Sequence, residues 1–335
     1  MSVYVIAEVG PNHNGSEKIA ISMIEQLSET GADAVKFQLG TAASVYSKDA
    51  FKANYQIRDS GDTSPVKMTN SHQLPAESHP HLADVCRSNG VEYLCTAFDL
   101  DSLEYLDKTL NLRAFKIPSG EVLSLDILEY MAKQNRQIFL STGMCTFDEI
   151  EAALRVLETH HPQDITLLHC VSNYPAPHDD IHLRVMNELQ ERFERPVGYS
   201  DHTLGNDCAI AAVARGASVI EKHVTLDRSM EGPDHQASAT INDFAELVKS
   251  IRVVETALGG TEKIFSDEEM NVRSAARKSI TAARNLTPGD FLENTDICFR
   301  RPGTGISPME RDSLVGKKVR RPVEKGRLIN HEDLA

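Results

Sequence analysis

At 335 residues, with 41% hydrophobic and 25% charged residues, the chain has apolar material for two domains or for one barrel with an appendage. A formal net charge of −14 and a sequence pI near 5.4 argue against a nucleic-acid or membrane-surface partner, yet leave room for a local basic pocket that holds an anionic substrate. Six scattered cysteines with no CxxC, a start without a signal-peptide pattern and no apolar run of the ~18 residues a membrane span needs point to a reduced cytoplasmic protein.

In chain order, residues 3–9 read as a short apolar strand, GPNHNG as its turn, and Ser16 as the cap of a helix with Ile19, Met23, Ile24 and Leu27 at helical spacing. The same grammar predicts strands at 34–38, 92–98, 114–118, 137–142, 165–170, 197–200 and 218–221. Between them lie amphipathic segments such as 74–89, 125–134, 147–159, 183–193, 207–215 and 241–258. Eight alternations fit a (β/α)8 barrel over 1–262, with an open doubly wound sheet as the structural alternative. The polar stretch 40–73 is far longer than an ordinary βα loop and reads as a lid or binding loop. A charged, pattern-poor linker spans 263–278. The remaining module, 279–335, repeats one pattern: Gly289, Leu292 and Asp296 recur at the offsets of Gly326, Ile329 and Asp333. It is small enough to need docking, and Arg300, Arg301, Lys317, Lys318, Arg320 and Arg321 give it a basic face.

A (β/α)8 barrel does its chemistry at the carboxyl ends of its strands, and here those ends are polar. Lys36, Thr96, Lys116, Ser119, Ser141 and Ser200 supply two ammonium groups and four hydroxyls, which suits a phosphate together with a carboxylate. Glu8, His202 and His223 fall on strands one, seven and eight, consecutive once a barrel closes. Two imidazoles with few further ligands suit an open catalytic site for Mn²⁺, Mg²⁺ or Co²⁺ better than closed structural zinc. His13, His169 and His235 are expected to support the site or the structure.

These stretches carry a resemblance. AEVGPNHNG, GADAVKFQ, YLCTAFD, FKIPSGE, LSTGM, LLHCVSNYPAP, GYSDHT, VIEKHVTLD, GPDHQAS and FRRPGTGISP stand in the order found in the N-acetylneuraminic (sialic) acid synthases and their legionaminic acid relatives, which the chain resembles over nearly its whole length. The resemblance implies a metal-dependent condensation of phosphoenolpyruvate with N-acetylmannosamine or a related 2-acetamido hexose, giving a nonulosonic acid and phosphate with C–O cleavage. It implies that His202 and His223 hold the metal, manganese first, and that Glu8 and Glu121 take catalytic roles with them. Lys36, Thr96, Lys116, Ser119, Ser141 and Ser200 would hold phosphoenolpyruvate, and Gln38, Tyr174, Asp234 and Arg301 the sugar. The C-terminal segment resembles the antifreeze-like (SAF) domain, which in the family caps the partner's active site in a domain-swapped homodimer. Two places depart from the pattern, residues 59–75 and Ser172, and both bear on which hexose is used. Alternatives on the same fold are a pseudaminic acid synthase, another aldose-condensing enzyme, or a non-catalytic polysaccharide or spore-coat protein.

Overall fold

Eight short apolar runs, each followed by a turn and an amphipathic stretch, bury both faces when a parallel sheet closes on itself inside a ring of helices. The computed structural model describes residues 2–52, 64–161 and 164–335. Strands β1 (Tyr4–Glu8), β2 (Ala34–Leu39), β3 (Glu92–Ala97), β4 (Ala114–Ile117), β5 (Gln137–Ser141), β6 (Ile165–His169), β7 (Val197–Asp201) and β8 (Val219–Thr225) pair in parallel, in chain order. β1 also pairs with β8, from Tyr4 opposite Val219 to Glu8 opposite His223, so the barrel is closed. The open-sheet alternative is thereby set aside.

Helices α1 (Glu17–Ser28), α2 (His79–Ser88), α3 (Leu100–Leu110), α4 (Leu125–Ala132), α5 (Phe147–Leu157), α6 (Val185–Phe193), α7 (Asp207–Ala214) and α8 (Ile241–Leu258) follow the strands. Their starts are chemically marked. Ser16 accepts the Ile19 amide, and Thr146 and Thr240 close capping boxes with Glu149 and Asp243. Helix α3 was not among the helical segments named above; Asp99 caps it through the Ser102 amide.

The period of two sorts each strand into layers. Ile6, Ala34, Leu94, Ala114, Phe139, Leu168 and Val219 form an apolar plug inside the barrel. Two residues further along the same faces come Glu8, Lys36, Thr96, Lys116, Ser141, Cys170 and Glu221, so a polar layer rests directly on an apolar floor. Gly198 belongs to the floor: a Cβ there would collide with Leu168 and Val219. β8 runs past the expected end at residue 221, so His223 lies inside the strand, because Val224 and Thr225 pair with the two-residue strand β9 (Ala239–Thr240).

The described residues divide into two units, Met1–Gly259 and Gly260–Ala335. In the second, a helix covers Asp267–Ala276, inside the stretch read as a linker. β10 (Ser279–Ala282) and β11 (Ile297–Arg300) pair antiparallel over a small core that includes Ile280, Leu286, Leu292, Leu314 and Ile329. The repeated pattern is the same turn twice. Gly289 and Gly326 both take positive φ, and Asp296 and Asp333 each accept the backbone amide three residues earlier. Among the described residues no helix is long and apolar enough to cross a membrane.

Candidate active site

Above the polar layer opens a cavity of about 690 Å³, lined by side chains from the strand ends and from the segment after β2. Lys36, Thr96, Lys116, Ser119, Ser141 and Ser200 all line it. Lys36 Nζ donates to Thr96 Oγ1 at 3.1 Å and Lys116 Nζ to Ser141 Oγ at 2.8 Å. The residue that joins the two lysines is Glu221, the last residue of the stretch read as strand 218–221. Its Oε2 lies 3.6 Å from Lys36 Nζ, its Oε1 lies 3.8 Å from Lys116 Nζ, and Ser200 Oγ donates to Oε1 at 2.9 Å.

Glu8 is fully buried and bonded to Lys36, while its Oε1 accepts from Gln38 Nε2 at 2.9 Å and from the Gly10 amide at 3.1 Å. It therefore belongs to the charge cluster, where the sequence reading had grouped it with the imidazoles. Burial, reinforced by Glu221, pushes the Glu8 carboxyl above its usual range against the pull of Lys36. Burial acts the same way on Glu221, but Lys116 and Lys36 outweigh it and hold that carboxyl low. Burial lowers Lys116. On Lys36 the same burial is outweighed by Glu221 and Glu8, which keep the ammonium above its ordinary value. Two buried lysines thus face two buried carboxyls, and the cluster is close to neutral by itself.

His202 and His223 meet in the same cavity, with ring centroids 5.5 Å apart and Ser200 Oγ 3.5 Å from His202 Nε2. Tyr174 packs on both, at 4.2 Å from His202 and 5.6 Å from His223. Burial lowers both imidazoles, His223 well below its usual value, so both rings are neutral. His202 Nδ1 lies 2.7 Å from the Val171 carbonyl, which puts the proton on Nδ1 and leaves the Nε2 lone pair toward the cavity side. His223 Nδ1 is buried without a hydrogen bond among the described residues, 3.5 Å from Asp234 Oδ2. Neutral rings and a fixed tautomer fit a divalent ion held by two histidines; among the described residues no group of three His, Cys, Asp or Glu is arranged to hold one.

Gln38, Tyr174 and Asp234 line the cavity as well. Glu121 does not: it is half-buried beside Ser124, which donates to it, and burial raises its carboxyl. Arg301 is exposed in the second unit. His13 lines the cavity, whereas His169 and His235 are bonded behind it, to the Ile181 carbonyl and to Thr225. Of the long stretch after β2, Val45, Tyr46, Met68 and His72 form one wall, the last two on the helix Pro65–His72. Residues 53–63 lie outside the described residues, and with them part of the departing segment 59–75. The other departure, Ser172, sits beside Ser119 and Cys170 around Gly143, where any Cβ would collide with all three. Ser172 lines the same cavity as Gln38, Tyr174 and Asp234.

A closed (β/α)8 barrel with paired lysines, hydroxyls and neutral imidazoles gathered at its carboxyl-terminal mouth has the architecture of an enzyme acting on an anion. The NeuB family pattern matches residues 23–263 and the SAF domain pattern residues 277–335. The chain belongs to the NeuB family and is an enzyme of the sialic acid synthase type. It is 39% identical over 339 residues to the N,N'-diacetyllegionaminic acid synthase of Legionella pneumophila subsp. pneumophila, spanning 100% of this chain and 95% of that protein. The N-acetylneuraminate-9-phosphate synthase of Homo sapiens is 33% identical over 332 residues, covering 98% and 92%. The crystal structure of N-acetylneuraminic acid synthetase from Leptospira borgpetersenii serovar Hardjo-bovis in complex with citrate superposes with a TM-score of 0.72 at 28% identity, covering 81% of this chain and 90% of that one.

Proposed function

We propose that this enzyme condenses phosphoenolpyruvate with the open-chain form of a 2-acetamido hexose, releasing phosphate. The observation that carries the reading is the buried pair Lys36 and Lys116, each bonded to a hydroxyl and bridged by Glu221. An incoming dianion replaces Glu221 as the partner of both ammonium groups, while Thr96, Ser119, Ser141 and Ser200 supply donors to its oxygens. Gln38, Tyr174 and Asp234 form the side that takes the sugar. The 39% identity to an N,N'-diacetyllegionaminic acid synthase favours a sugar with two acetamido groups over N-acetylmannosamine.

In the reaction, carbon 3 of the enol forms a bond to the aldehyde carbon, and the aldehyde oxygen takes a proton. Water adds to the cation left at carbon 2, and the C–O bond to phosphate breaks. Glu8, bonded to the cavity residues Lys36 and Gln38, would take the proton that the water loses. His202 and His223 would hold the divalent ion, manganese first and magnesium or cobalt as alternatives; when bound, it supplies Lewis-acid polarisation of the aldehyde oxygen. Arg301, from the second unit of a partner chain in a homodimer, would close the mouth over the sugar and keep bulk water from the cation.

The test is phosphate release from phosphoenolpyruvate across a panel of 2-acetamido and 2,4-diacetamido hexoses, with and without chelator, with the product identified by mass. Turnover of the diacetamido sugars, lost with EDTA and in His202→Ala, is expected. Activity that ignores both treatments sinks the metal reading, and no phosphate release with any sugar sinks the condensation. A product with the pseudaminic configuration would favour the pseudaminic reading on the same site.

A further inference from the structure

On the outward faces of the strands, toward the helices, the residue that follows the polar layer is apolar on β1 to β4, as Val9, Phe37, Ala97 and Ile117 show. β7 and β8 break this rule. Asp201 and Lys222 point outward there, 1% and 2% exposed, and stand directly opposite one another in the strand register. Lys222 Nζ lies 2.6 Å from Asp201 Oδ2 and donates to the Thr203 carbonyl at 2.9 Å. Asp201 Oδ1 accepts the Thr203 amide at 2.9 Å, the Thr203 hydroxyl at 2.7 Å and the Tyr199 hydroxyl at 3.2 Å.

A buried ion pair is a poor choice for stability alone, because desolvation consumes much of its attraction and well-packed apolar side chains serve as well. Its position explains it. Asp201 opposite Lys222 is the last register pair of β7 with β8, and each is followed by one of the two cavity imidazoles, His202 and His223. Lys222, from β8, grips both neighbours of His202: the Asp201 carboxylate before it and the Thr203 carbonyl after it. Past this pair no backbone ladder joins the two strands among the described residues.

We propose that Asp201 and Lys222 are positioning residues, whose ion pair on the outer wall of the barrel sets the spacing and facing of His202 and His223. This rests on the reading of those histidines as a functional pair. It is tested with Asp201→Asn/Lys222→Met, which removes both charges but keeps an acceptor for the Thr203 amide. The thermal midpoint is expected to stay near wild type, since neutral replacement of both partners costs little. The Nδ1–H proton resonance of His202, bonded to the Val171 carbonyl, is expected to shift or broaden, while the ring resonances of the buried His79, paired with the Tyr93 hydroxyl, serve as the unmoved reference. Mn²⁺ affinity, read from free Mn²⁺ by electron paramagnetic resonance, is expected to weaken by roughly 10- to 100-fold, as loss of a supporting interaction does. kcat should fall with KM for phosphoenolpyruvate within about twofold. An unmoved His202 resonance overturns the proposal whatever the Mn²⁺ result. A wild-type protein that binds no Mn²⁺ sinks the metal reading above and leaves this proposal to be decided by the resonance. Should the neutral pair fail to fold, Lys222→Gln, which removes the ion pair while Asp201 keeps its donors from Thr203 and Tyr199, is read in the same way.

Discussion

Glu221→Gln changes one charge at the centre of the site and keeps the shape and the bond from Ser200. In the wild type the carboxylate stands 3.6 Å from Lys36 and 3.8 Å from Lys116. At an effective dielectric of about 20, each contact is an attraction of roughly 4 kcal/mol before desolvation is counted. Removing one partner of a buried pair costs about 3–5 kcal/mol in practice, because a charge is left uncompensated. Lys36 keeps Glu8 as a partner, so the loss falls mainly on Lys116 and the lower end of that range applies. For a domain of roughly 250 residues, a loss of ~3 kcal/mol lowers the thermal midpoint by about 6–12 °C. The variant site also gains a net positive charge, so an anion binds it better. The assay is a thermal melt with and without inorganic phosphate: Glu221→Gln should melt lower than wild type in plain buffer and gain more from phosphate. Equal midpoints, or equal gains from phosphate, would refute the assignment of Glu221 as the carboxylate that balances both lysines.

Lys116→Met should raise KM for phosphoenolpyruvate by roughly 10- to 150-fold, the span of a charged hydrogen bond worth about 1.5–3 kcal/mol, and steady-state kinetics beside Lys116→Arg check it. Burial holds His13 down to about 3 and His79 down to about 4. Below pH ~6.5 the unfolded chain therefore takes up protons that the folded chain refuses. Stability is full above that pH and is lost as pH falls, by up to about 1.4 kcal/mol per unit for each ring. Urea midpoints between about pH 7 and pH 5 should fall less steeply for His79→Phe than for wild type, and equal slopes would count against a neutral His79. Arg301→Ala should be inactive by itself and recover activity when mixed with a chain that carries His202→Ala and an intact Arg301; mixtures that stay inactive argue against a cap supplied in trans.

The barrel was legible because its grammar is local. Strand, turn and amphipathic helix repeat within a few tens of residues, and the period of two tells which side chains share a face. The same rule puts Lys36 and Gln38 on one face of β2, and pairs Ser200 with His202 and Glu221 with His223. What it could not supply was who faces whom across the barrel. Glu8 and Lys36 are 28 residues apart and meet because β1 and β2 pair at that register. Glu221 is legible as a strand-tip carboxylate sharing a face with His223, but that gives no hint of two lysines arriving from β2 and β4. The end of β8 was set too early for a similar reason: its last two residues are held by a short partner strand that no periodicity announces.

The near-neutral cluster of Lys36, Lys116, Glu8 and Glu221 bears on how such a site can exist before its substrate arrives. A barrel with two unpaired ammonium groups at its heart would resist folding until an anion filled it, tying assembly to the supply of a metabolite. In the function proposed above, Glu221 would be a placeholder, holding the seat of the incoming dianion until that dianion displaces it. The chain can then fold on its own. The substrate in turn meets ammonium groups already held in position, and it must spend part of its binding energy breaking existing ion pairs, so tight ground-state binding is traded for a preorganised site.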